Sequence, residues 1–77
     1  MENPTLTYGQ KLVGINFNVT GNADVQNIKE FYAKVIDGLN NARTTTESQE
    51  QHRLYSIAIT ETQTAQMWAV KAITWKD

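Results

Sequence analysis

The run from Arg53 to Trp75, RLYSIAITETQTAQMWAVKAITW, carries apolar residues on more faces than a two-helix protein can cover by itself. Read as a helix, one seam is Leu54, Ala58, Glu61, Ala65, Trp68, Ala72 and Trp75, at alternating steps of four and three. A second row, Ile59, Gln66, Val70 and Ile73, falls beside it, and Ile57 and Met67 lie elsewhere again. Surface of this kind on a short chain implies that other copies of the chain cover it. A homo-oligomer is therefore expected, with function at its subunit boundaries.

Size leads to the same expectation. The chain has 77 residues, at most one domain, and a domain that small buries only about 60% of its unfolded surface. Disulfides, a metal or oligomerisation are the usual remedies. There is no cysteine and one histidine, His52. Disulfides, thiolate sites and a multi-histidine metal site within one chain are thereby excluded. Seven basic and eight acidic residues leave a net charge of −1. A DNA or RNA polymer needs a basic stripe to displace counterions, so nucleic-acid polymers are not expected partners. A small anion needs only two or three placed donors and stays open. No apolar run approaches the roughly 20 residues of a membrane span. The start, MENPTLTYGQ, lacks the regions of a signal peptide. A soluble, intracellular protein without a membrane partner is the expectation.

Along the chain, residues 1–20 read as an arm and loop. Lys11 to Thr20, KLVGINFNVT, alternates apolar residues at Val13, Ile15, Phe17 and Val19, which predicts a strand or extended segment. Thr20-Gly21-Asn22 signals a turn, and Asn22 or Thr20 can cap the helix that follows. Helix one is expected over 22–43, with Val25, Ile28, Tyr32, Val35, Leu39 and Ala42 in register and Phe31 and Ile36 widening the stripe. The polar stretch TTTESQEQ connects, with Ser48 or Thr46 as the next cap. Helix two is expected over 48–75. The fold class is all-α: a two-helix antiparallel hairpin with an extended N-terminal arm, assembled as a homo-oligomer.

No catalytic set assembles. His52 borders a polar connector without a nucleophile partner, and Glu47 with Glu50, or Glu30 with Asp37, read as solvated carboxylates. There is no Gly-rich phosphate loop. An enzyme is not expected, and no cofactor or metal is called for. Lys29 stands in the second turn of helix one. With the free N–H groups near Asn22 and Ala23 it can hold a phosphate, while Phe17, Tyr8 or Tyr32 offer a face for a base. The plain alternative is a surface lysine making a local contact. Arg53, Ser56, Thr60 and Gln63 form a polar line on helix two. It reads either as a hydrogen-bonded layer fixing register or as a ligand site on a symmetry axis. Trp68 and Trp75 read as core anchors rather than ligand stackers.

The segment Arg53-LYSIAI-Thr60-x-x-Gln63-x-x-x-Met67-x-Ala69-Val70-Lys71-Ala72 resembles the closing helix of the phage anti-CBASS cyclic-oligonucleotide sponges and the related Thoeris anti-defence sponges. Gly14-Ile15-Asn16-Phe17 and Asn27-Ile28-Lys29 are similar to that family's loop and helix start. The resemblance covers residues 11–75. It implies a non-enzymatic helical hairpin that assembles as a homohexamer in the cytoplasm of the infected bacterial host. It further implies sequestration of cyclic nucleotide second messengers: cyclic dinucleotides between neighbouring chains, and cyclic trinucleotides or cyclic ADP-ribose isomers in some relatives.

Position by position, Lys29 matches the family lysine that contacts phosphate. Ile15 stands where the family has a stacking tyrosine, leaving Phe17 or Tyr8 as substitutes. Arg53 and Thr60, with Ser56 as a second candidate, match the family's threefold-axis arginine and threonine. Two other classes stand against the sponge: a structural or regulatory helical oligomer that binds a protein partner, and a small hydrolase of such nucleotides.

Overall fold

The computed structural model describes residues 5–18 and 21–77 of the chain. The parts of the expected arm at 1–4, and Val19 and Thr20 as strand residue and cap, lie outside the described residues. Among those described, every regular element is helical: α1 (Tyr8–Val13), α2 (Ala23–Thr45) and α3 (Gln49–Thr74).

The helix α1 corrects the extended reading of this region. Thr7 and Gln10 form a reciprocal capping box: the Gln10 N–H donates to Thr7 Oγ1 at 3.1 Å, and the Thr7 N–H donates to Gln10 Oε1 at 2.8 Å. Gly14 closes the helix at φ 64°, where a side chain is strained. Val13 and Ile15 are both buried because they flank this left-handed turn, and Phe17 points outward at 78% exposure. The two-residue period comes from a helix end followed by a turn.

Asn22 caps α2, its Oδ1 accepting from the N–H groups of Asp24 and Val25 at 2.8 and 3.1 Å. Thr46 ends α2 and Ser48 caps α3, so the two long helices are joined by residues 46–48 alone. A connection that short makes them antiparallel neighbours. The buried stripe of α2 is Val25, Lys29, Ala33 and Ile36. Phe31 and Val35, expected within the stripe, are exposed.

The core is Val13, Ile15, Ala33, Ile36 and Ile59, edged by Leu6, Leu12, Tyr32 and Leu39. It sits where α1 crosses the hairpin. That crossing is close: a Cβ on Gly9 would lie 2.1 Å from the Ala33 carbonyl oxygen. The Gly9 N–H donates to Asp37 Oδ1 at 2.7 Å, giving a first-turn amide a charged acceptor. Asp37, read from the sequence as a solvated carboxylate, is thus a docking group for α1.

The Cα envelope measures 45 × 38 × 12 Å. Its thin dimension falls short of the roughly 13 Å that two stacked helix layers require. A body so flat leaves Phe17, Phe31, Leu54, Met67, Trp68 and Trp75 at least half exposed. Trp68 and Trp75, read from the sequence as core anchors, lie outside the core and are 65% and 64% exposed. No described helix is long and apolar enough to cross a membrane.

Candidate functional site

The loop between α1 and α2 is built from its backbone outward. Gly14 ends α1, and the Phe17 N–H returns to the Gly14 carbonyl at 2.8 Å. Asn18 and Asn22 then bridge reciprocally, Asn18 Nδ2 donating to the Asn22 carbonyl at 2.8 Å and the Asn22 N–H donating to Asn18 Oδ1 at 3.1 Å. Lys29 rises beneath this loop from α2. It is 6% exposed, and its ammonium donates to the Gly14 carbonyl at 3.0 Å and to the Phe17 carbonyl. The plain reading of Lys29 as a surface lysine is therefore corrected. Two of its three N–H donors are used on the loop, and one remains.

Above the loop lies an open depression of about 470 Å³, lined by Ile15, Asn16, Asn18, Gly21, Ala23, Gln26 and Asn27. Its polar groups are neutral amides. Asn18 and Gln26 are engaged with each other at 3.5 Å, and Gln26 also reaches Glu30 at 3.4 Å. Asn16 and Asn27 make no side-chain hydrogen bond among the described residues, and both are exposed. Such amides present a donor and an acceptor side by side, which suits the edge of a base.

Lys29, Phe17 and Asn22 thus meet at one loop. Phe17 and Lys29 are tied through the Phe17 carbonyl, while Asn22 is occupied as the cap of α2. Tyr8 does not join them. Its ring lies 5.7 Å beneath the Arg43 guanidinium, which donates to Ser56 Oγ at 3.0 Å and to Asn40 Oδ1 at 2.8 Å. Tyr8 and Ser56 therefore belong to a second cluster centred on Arg43, the last residue of the helix expected over 22–43.

Arg53 and Thr60 lie on the open side of α3. Arg53 pairs in two-pronged fashion with Glu50, Nε to Oε1 at 2.9 Å and Nη2 to Oε2 at 2.7 Å. The arginine holds the Glu50 carboxyl below its ordinary range, and Glu50 raises Arg53. Thr60 Oγ1 donates to the Ser56 carbonyl at 3.1 Å. Two helical turns, about 10.5 Å, separate Arg53 from Thr60. Among the described residues no side chain from α1 or α2 hydrogen-bonds to either. His52 is exposed near the start of α3, its Nε2 2.9 Å from the Thr46 carbonyl oxygen. Among the described residues no cluster of three or more His, Asp or Glu groups forms.

Three positioning residues escaped the sequence reading: Gly9, Asp37 and Arg43. The Thr7-x-x-Gln10 box followed by Gly14 was the available signal for α1, and a helix there would have called for a docking partner on α2. Nothing in the sequence marked the Arg43–Tyr8 pairing.

The family model of the Acb2/Tad1 hairpin domain matches residues 10–74. Neither the curated proteins nor the solved structures gave a match.

Proposed function

The chain belongs to the Acb2/Tad1 hairpin-domain family, and on that footing we propose that it is a phage anti-defence sponge for cyclic nucleotide second messengers. Cyclic dinucleotides are the first ligands in scope; cyclic trinucleotides and cyclic ADP-ribose isomers are the further ones. The protein buries the intact molecule between neighbouring copies in the infected host's cytoplasm, and so lowers its free concentration. Family membership carries this reading.

What supports the ligand class is the loop at the start of α2. A cyclic dinucleotide brings two phosphates and two base faces. The remaining N–H donor of Lys29 meets a phosphate, Phe17 stacks on a base, and Asn16 and Asn27 address its edge. The depression of one protomer is open, so two copies related by symmetry close it from both sides. Stacking contributes about 1–3 kcal/mol per base. Two bases and two charge-assisted contacts bring the dissociation constant below about 1 μM. Arg53 and Thr60 on the open side of α3 are the second site, completed only where several copies of α3 converge in a homohexamer. Capture requires no bond to break.

Native mass spectrometry of the purified chain with a panel of cyclic di- and trinucleotides tests the proposal. A hexamer gaining whole ligand masses, with ligand recovered unaltered after denaturation, is expected. An assembly that takes up no cyclic nucleotide removes the sponge reading, and recovery of cleaved ligand replaces it with a hydrolase.

A further inference from the structure

A second depression lies on the outer face of α2, beside the loop and outside the site described above. It holds about 190 Å³ and is lined by Asn27, Glu30, Phe31 and Lys34. These positions follow one another at steps of three, one and three. They therefore share one face of the helix over about 10.5 Å. Asn27 also lines the depression at the loop, so the two adjoin along α2. Phe31 is 69% exposed, which leaves its ring bare.

The charges around that ring are not spent on each other. Glu30 and Lys34 stand four apart in the order that suits a helix ion pair. Yet Arg53–Glu50 is the only ion pair among the described residues. Glu30 Oε1 accepts from Gln26 Nε2 at 3.4 Å, a long bond that leaves Oε2 open. An aromatic face, an ammonium, a carboxylate and an amide on one helix face are the groups that a nucleotide addresses.

The carboxylate decides which nucleotide. Beside a ligand that carries phosphates it repels, unless it faces donors on the base. A carboxylate accepts through both oxygens and donates through neither. The Watson–Crick edge of guanine sets N1–H and N2–H side by side, two donors for two oxygens. Adenine sets one N–H beside the lone pair of N1, which opposes the second oxygen. Uracil places a single N–H between two carbonyls. Only guanine satisfies both oxygens at once.

We propose that this face of α2 is a guanine subsite. The base stacks on Phe31, its N1–H and N2–H donate to Glu30, and Lys34 meets a phosphate. It takes a base of the messenger other than the one on Phe17 of the same protomer. The proposal rests on the cyclic-nucleotide reading above and adds to it the identity of a base.

Isothermal titration calorimetry of the full chain with cyclic di-GMP and with cyclic di-AMP tests it. Cyclic di-GMP is expected to bind tighter by roughly ten- to hundred-fold, the discrimination of one good two-pronged base contact. Glu30→Gln, at an exposed position, offers one acceptor and one donor where two acceptors stood. It should bring the two affinities together, chiefly through loss of cyclic di-GMP. Phe31→Ala should weaken both by roughly ten-fold, because stacking is blind to base identity. Equal affinities in the parent chain, or a preference for cyclic di-AMP, would overturn the subsite and leave the sponge reading standing. So would a guanine preference that survives Glu30→Gln. Uptake of neither ligand would overturn the subsite, and the mass-spectrometry panel then decides the sponge by itself.

Discussion

At the scale of the residue, Lys29 is a buried cation whose acceptors are carbonyls of a loop twelve to fifteen positions earlier. Lys29→Met keeps the stem and removes the ammonium, leaving the Phe17 carbonyl without its donor and the Gly14 carbonyl with the Phe17 N–H alone. A loss of about 1–3 kcal/mol is expected in denaturant unfolding, with faster amide exchange at Phe17 and Asn18 and loss of cyclic dinucleotide binding. Lys29→Arg restores part of each. At Arg53 the expectation runs the other way. The Arg53–Glu50 pair is fully exposed, and its only reading is through pH. The Glu50 carboxyl is held below its ordinary 4.5, so its contribution is present above that value and is lost as acid takes pH through the lowered one. The small difference in Tm between Arg53→Ala and the parent chain should therefore shrink as pH is lowered from neutral into the acid range. Lys29 was legible as a residue of interest because it followed a loop and opened a helix. Its burial was not, because its acceptors are backbone carbonyls that no side-chain pattern announces.

At the scale of the element, α1 is held by a contact that tolerates no side chain. Gly9→Ala places a methyl 2.1 Å from the Ala33 carbonyl oxygen, so α1 must lift. A cost of about 1–3 kcal/mol or more is expected in chemical denaturation, with loss of protection at the Gly9 amide. Gly38 is the control. A Cβ there meets nothing within 4 Å, and Gly38→Ala in the middle of α2 should stabilise by about 0.5–1 kcal/mol. The long helices were legible because twenty or more residues of three-four spacing average out local exceptions. A six-residue helix offers less than two turns of pattern, and its caps, rather than its periodicity, decide it. The masking effect of Val13, Ile15 and Phe17 was the result: three apolar residues two apart, of which two flank a turn and one faces out.

At the scale of the whole molecule, the exposed rows on α2 and α3 were legible as an excess of apolar surface. Which row of α3 stayed outside was not, since either could have faced α2. The hairpin contact selects the row with Ile59 and Gln66 and leaves the one with Trp68. If copies cover that row, folding and association are one equilibrium. The Tm of the purified chain should climb with protein concentration. A tenfold change is expected to move it by a few degrees, given that about 1 kcal/mol shifts a domain of this size by roughly 4–8 °C. A Tm constant across two decades of concentration would mean that one protomer is self-sufficient.

The 12 Å thickness of the protomer has a consequence in time as well as in space. If copies cover its exposed faces, dilution acts on this chain as denaturant acts on a thicker one. On the proposed assembly the first copies made in a cell meet few others and are perishable. Only when synthesis outruns degradation do they find one another, and the protection they then acquire rises faster than their number. The quantity of active protein is on that reading a threshold function of dose: nearly nothing below a critical abundance, and durable stock above it.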